Sequence, residues 1–281
     1  MMKNKSEYLK TRKDEAIAKQ ILSADDYAFY ESLFLFQEKQ QGLFAFKNVP
    51  GYIDPDGFPA IRTDQLEIPA DHGPALLAAL DELCGIITAR HPGFNTGPYR
   101  AHAVGSEKSI ESLARTFLEG EIDAIASIAG DIRTGIDEFV FMTANWFSPY
   151  FSALRAAVFG GRDTSEWNGT VCPFCGQYPS MAKIIEAKEN KRVLRCSFCD
   201  EEWVFQRIGC ALCGNDDIKK LGYYEFESSP YRFDYCSACG GYIKTFRLAR
   251  KTAEGSVNLA VENILTNFLD SSAIAMGYKA R

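Results

Sequence analysis

Cys172-Pro173-Phe174-Cys175-Gly176, Cys196-Ser197-Phe198-Cys199, Cys210-Ala211-Leu212-Cys213-Gly214 and Cys236-Ser237-Ala238-Cys239-Gly240 decide how this chain folds. Eight of its nine cysteines sit in these four C-x-x-C pairs. The spacing is C-x2-C-x20-C-x2-C, a ten-residue spacer, then C-x2-C-x22-C-x2-C. Two thiolates three residues apart on a tight turn grip one side of a tetrahedral ion. A second such knuckle, returned by a hairpin of about 20 residues, completes four ligands. Glycine follows the second cysteine in three of the knuckles (Gly176, Gly214, Gly240), where a positive φ relieves the turn. Redox disulfides of the C-x-x-C type need a βαβ context and usually one motif, so four knuckles point to metal. Two pairings satisfy the spacing, adjacent or interleaved. The ten-residue spacer is short for a ribbon of its own and favours Cys172/Cys175 with Cys196/Cys199, and Cys210/Cys213 with Cys236/Cys239. Two closed four-thiolate sites leave no open position for a hydrolytic water.

Around the knuckles, short β-type runs alternate with turn signals. Strands are expected over 182–185, 192–195, 202–208, 221–226, 231–235 and 242–248, with turns at Glu189-Asn190 and Ser228-Ser229-Pro230. Before residue 160 the 3.6-residue period dominates. Ser23 caps a helix that ends before Gly42. Pro74 opens another running to Arg90, and His91-Pro92-Gly93 breaks it. Ser148-Pro149 reads as an N-cap and first helical residue, splitting a helix before it from one over 150–159. Ser256 caps a last helix with Val257, Val261, Ile264 and Phe268 on one stripe. The fold class is α+β. An α-helical domain over 1–166 precedes a first four-cysteine ribbon over 167–209 and a second over 210–250, and a C-terminal helix over 251–281 packs back on the body.

The 281 residues are 46% apolar and 24% charged, an ordinary core-forming composition. The longest uncharged apolar stretch, 139–154, is interrupted by Asn145, Ser148 and Pro149 and falls short of the roughly 18 residues a bilayer requires. Residues 1–19 lack the apolar core of a secretory signal. A cytoplasmic protein without membrane insertion is expected. Residues 167–250 carry 12 basic and 10 acidic side chains. Eight ionised thiolates and two divalent ions turn that +2 into −2, a poor footprint for a phosphate backbone, so nucleic acid is not the expected partner. His72, His91 and His102 lie in loop-like sequence, Cys84 shares an apolar stripe with Leu80 and Leu83, and no P-loop, G-x-G-x-x-G, G-x-S-x-G or H-E-x-x-H motif occurs. No catalytic residue is assigned.

Four sulfurs suit zinc or a single iron. The knuckles at Cys172 and Cys236 resemble those of rubredoxin, which adds weight to iron. A wider resemblance follows the order Trp167-x-Gly169-x-x-Cys172-Pro173-x-Cys175-Gly176, Arg195-Cys196-x-x-Cys199-x-x-x-Trp203, Arg207-x-x-Cys210-x-x-Cys213 and Cys236-x-x-Cys239-x-x-Tyr242-x-Lys244. This order is similar to the FdhE family of formate dehydrogenase accessory proteins. The 147–150 region and the helix that ends at Gly277-Tyr278 are similar too. The resemblance covers about residues 135–281 and implies tandem rubredoxin-like modules with all eight cysteines as ligands of two ions, iron or zinc. It also implies a cytoplasmic maturation factor, not an enzyme, that binds the formate dehydrogenase catalytic subunit. Arg195, Trp203, Arg207 and Lys244 are the candidate partner-binding residues, though hairpin packing and ion pairing serve equally well for each singly. The competing functional readings are a rubredoxin-like electron-transfer protein and a nucleic-acid-binding zinc-ribbon protein. Ribbons this small lean on metal for folding, so replacing Cys172 or Cys236 is expected to unfold one ribbon and spare the helical domain.

Overall fold

The structure, a computed structural model, describes residues 4–105, 109–226 and 229–280. The turn expected at Ser228 falls outside these, although Ser229 and Pro230 are within them. The chain forms two compact units, one of residues 28–160 and one joining residues 1–27 to 161–281.

The 28–160 unit is helical. Its spine is Ile136–Val158, 23 residues long and unbroken at Pro149. The Ser148-Pro149 start signal is overridden because the turns on both sides are buried. Phe147, Tyr150, Phe151 and Leu154 are wholly enclosed. At about 1.5–3 kcal/mol for each large apolar side chain, this burial outweighs the roughly 3 kcal/mol cost of an internal proline. Gly73–Arg90 carries proline in its first turn, as expected, and buries Leu76, Leu80, Leu83 and Cys84. Trp146 Nε1 donates to the Leu76 carbonyl at 2.7 Å, locking this helix to the spine. Burial pushes the Cys84 thiol up, which suits an inert core residue. His72 packs edge-on against Phe44, Phe46 and Tyr150.

The other unit is built on β1 (Pro179–Ile185), β2 (Lys191–Cys196), β3 (Glu202–Phe205), β4 (Leu221–Glu225), β5 (Tyr231–Cys236) and β6 (Gly241–Leu248). Six strands occur where the sequence pattern expects them. The two ribbons are not separate sheets, however. The strand order is β3-β2-β1-β6-β5-β4, and a parallel pairing of β1 with β6 fuses them at the centre. Hairpin spacing fixes the antiparallel partners. The parallel contact joins residues some 60 positions apart, and no local signal announces it.

One face of the sheet is covered by two helices, Leu259–Leu265 and Asn267–Ala275, where the sequence suggests one. Asn258 caps the first, its Oδ1 accepting from the Ala260 and Val261 amides, so the start lies two residues beyond the expected Ser256 cap. The break at Thr266 has a polar cause. Thr266 Oγ1 donates back to the Glu262 carbonyl, and Lys244 Nζ captures the Asn263 carbonyl at 2.6 Å. Met181, Ile185, Val193, Leu248, Val257 and Leu259 form one core beneath the helices, and Phe233, Tyr242, Leu269 and Ala273 form another.

Helices Lys5–Thr11 and Lys13–Ala18 also belong to this unit, whereas the sequence groups them with the helical domain. The reason is Glu262, a carboxylate with no solvent exposure. It accepts from Tyr8 Oη, from Arg12 Nη1 and, at 2.5 Å, from Tyr231 Oη. Burial, reinforced by the Glu262 charge, pushes both tyrosine hydroxyls above their ordinary range and keeps them donors. A buried carboxylate needs such partners, and two of the three come from residues 8 and 12.

Candidate metal centres

Each hairpin returns one knuckle to the other. β1 and β2 lead from Cys175 back to Cys196, and β4 and β5 lead from Cys213 back to Cys236. The sulfurs of Cys172, Cys175, Cys196 and Cys199 lie within 4.8 Å of one another, as do those of Cys210, Cys213, Cys236 and Cys239. The adjacent pairing is therefore the one the chain adopts. Cross-hairpin edges are 3.6 Å for Cys172–Cys199, 3.5 Å for Cys175–Cys196, 3.8 Å for Cys210–Cys239 and 3.9 Å for Cys213–Cys236. A tetrahedron with metal–sulfur bonds of about 2.3 Å has edges of about 3.8 Å, so both donor sets fit one thiophilic ion. All eight cysteines are free thiols.

The knuckles share a local geometry. Gly176, Gly214 and Gly240 have φ of +79°, +75° and +70°. The fourth such position is Asp200, also left-handed at +63°. Its carboxylate is bound by Lys5 at 2.7 Å and by Arg195. Burial opposes the charge on Asp200, but Arg195 and Lys5 hold its carboxyl below the usual range. Asp200 and Lys5 are residues the sequence reading passed over. The missing glycine in the second knuckle is the signal that could have drawn attention to position 200.

Surroundings separate the two centres. Around the first, all four cysteines are buried, and Phe174, Phe198 and Trp203 are almost wholly enclosed beside them. Cys213 and Cys239 of the second are exposed, while Cys210 and Cys236 pack on Leu212 and Leu221.

The four candidate partner residues divide as well. Arg195 is buried between Asp200 and Ser180. Trp203 is buried, its Nε1 donating to the Gly169 carbonyl at 3.1 Å. Lys244 is buried on Asp270 and the Asn263 carbonyl, and burial pulls its ammonium below the ordinary value against the opposing pull of Asp270. Arg207 alone of the four is exposed. It lines a groove of about 590 Å³ on the sheet face opposite the helices, together with Ile208, Ile218, Tyr223 and the flank of Cys210. Three further arginines there are matched by carboxylates. Arg192 and Arg232 pair with Asp234, and Arg247 pairs with Glu186 and Glu225.

Among the described residues no helix is long and apolar enough to cross a membrane. Residues 171–207 match the family model described as FdhE, central domain. Curated relatives named Protein FdhE homolog include one from Edwardsiella ictaluri, 29% identical over 57% of this chain and 52% of the relative. Another, from Aquifex aeolicus, is 28% identical over 61% of this chain and 56% of the relative. These matches span about half the length of the relatives. The crystal structure of the FdhE protein from Pseudomonas aeruginosa shares the fold, with a TM-score of 0.58 at 20% identity over 98% of this chain and 91% of that one. In its central-domain match, its relatives and its fold alike, the chain is similar to proteins of the FdhE family.

Proposed function

We propose that this protein is an accessory factor in the maturation of a formate dehydrogenase, a cytoplasmic and non-catalytic partner of that enzyme's catalytic subunit. The observation that carries the reading is the pair of closed four-cysteine clusters within a sheet of the FdhE fold. Each would hold one ion, Cys172, Cys175, Cys196 and Cys199 ligating the first and Cys210, Cys213, Cys236 and Cys239 the second. A bound zinc would cross-link the hairpins, and a bound iron would add a one-electron couple. The protein's own part is to fix the knuckles through the shared sheet and to present a surface to the client.

That surface is proposed to be the groove lined by Arg207. With three arginines matched by Glu186, Glu225 and Asp234, Arg207 supplies the positive charge in excess, next to exposed Ile208, Ile218 and Tyr223. Arg195, Trp203 and Lys244 support the sheet from inside. Anaerobic co-purification tests both levels. The tagged protein is expected to retain the catalytic subunit, and Arg207→Glu to weaken retention about tenfold or more with metal content unchanged. Failure of the unaltered protein to retain the subunit under those conditions would remove the accessory reading. Full retention by Arg207→Glu would move the contact elsewhere.

A further inference from the structure

We infer that the second centre exchanges its ion with external thiolate ligands, while the first is a sealed staple. The inference rests on the reading that both clusters carry an ion, and it assigns them different tasks. Ligand exchange at a four-thiolate ion is associative in this scheme. An incoming thiolate forms a metal–sulfur bond as one protein metal–sulfur bond breaks, and the displaced cysteine takes up the proton released by the incoming thiol. Oxidation states do not change, so no oxidant or reductant is needed. The step requires only that a nucleophile reach the ion and that a cysteine be able to swing away.

The second centre meets both requirements. Cys213 and Cys239 are exposed and come from different knuckles, so solvent reaches both halves of the donor set. After Cys213 the chain continues as exposed Gly214, half-buried Asn215 and exposed Asp216 and Asp217, none of them aromatic. Ser237 and Ala238, between the cysteines of the other knuckle, are exposed too. On a third side, the flank of Cys210 borders the groove that carries Arg207. The first centre meets neither requirement. Its four cysteines are buried, with exposures of 0–2%. Phe174 and Phe198 stand between the cysteines of its two knuckles and are themselves enclosed. Amide bonds to sulfur occur in both centres, at Cys196 from Phe198 and Cys199 and at Cys210 from Leu212, so enclosure is what separates them. Reaching that ion demands local unfolding of the sheet, whereas reaching the other does not.

The test uses the full chain, loaded anaerobically with zinc and shown by elemental analysis to hold two ions. Excess 4-(2-pyridylazo)resorcinol then records zinc release. Two phases of one ion each are expected, differing about a hundredfold or more in rate. Added glutathione should accelerate the fast phase in proportion to its concentration and leave the slow phase unchanged. Cys213→Ser/Cys239→Ser should lose the fast phase alone. As a check that needs no variant, brief alkylation of the zinc-loaded protein followed by peptide mass mapping should mark Cys213 and Cys239 before any cysteine of the first centre. Release of both ions at one rate, a fast phase that survives the double variant, or early alkylation at Cys172 or Cys199 would overturn the assignment. Fewer than two ions at the outset would instead overturn the reading on which it rests.

Discussion

Cys172→Ala is expected to lose one ion and melt the whole sheet unit. Read as two independent ribbons, the sequence predicts that such a change unfolds one ribbon only. The fused sheet changes that expectation. Cys172 and Cys196 anchor β1 and β2, and β1 is also the parallel partner of β6. A four-thiolate site contributes on the order of 10 kcal/mol to folding, comparable to the entire net stability of a domain. Once β1 loosens, β6 loses its inner neighbour and the cores under the C-terminal helices open. Cys236→Ala should be milder, because β4 and β5 lie at the outer end of the sheet. Metal analysis combined with limited proteolysis separates the two cases. Cys172→Ala should expose cleavage sites on both sides of the β1/β6 seam, and Cys236→Ala chiefly in 210–240. The helices of 28–160 should survive both changes, since their core contains none of the eight ligands. Equal, local damage from the two variants would show that the seam does not couple the ribbons.

Glu262→Ala should rank next, costing about 3–5 kcal/mol, the range for breaking a buried ion pair by removing one partner. The variant leaves Arg12 without its buried carboxylate and two buried tyrosine hydroxyls without their acceptor. In a unit of roughly 150 residues this lowers the sheet-unit melting temperature by about 10 °C. Helices Lys5–Thr11 and Lys13–Ala18 should detach first, since that acceptor fastens both Tyr8 and Arg12. Glu262→Gln keeps an acceptor but not the charge, so its loss should be smaller. Hydrogen exchange over residues 5–18 measures the detachment. Unchanged protection there in Glu262→Ala would mean that packing of Leu9 and Ala16 suffices to hold the segment.

Much of the sheet unit was legible because its constraints are local. C-x-x-C spacing, hairpin length and strand alternation each act over a few residues, and together they located six strands and the adjacent pairing of the cysteines. What escaped was set by distant partners. The parallel β1/β6 contact depends on helices burying one common face. The allegiance of residues 5–18 depends on a carboxylate some 250 positions away. The unbroken helix through Pro149 reflects burial overriding a local start signal. Among the candidate residues, the gathering of the cysteines into two sets of four was legible from type and spacing alone. Arg195, Trp203 and Lys244 were read as candidate partner contacts, yet their surroundings are internal, which a single sequence does not distinguish from a contact surface. Asp200 went unnoticed because an aspartate in a left-handed turn looks like any polar loop residue until Lys5 and Arg195 are seen to converge on it.

The account stands on the eight cysteines binding two ions within one folded chain. Native mass spectrometry of protein purified without oxygen tests this most directly. The expected mass exceeds that of the bare chain by two metal ions, less the protons their thiolates give up, and the mass itself separates iron from zinc. A species matching the metal-free reduced chain, or one lighter by the hydrogens lost to disulfides, would contradict it.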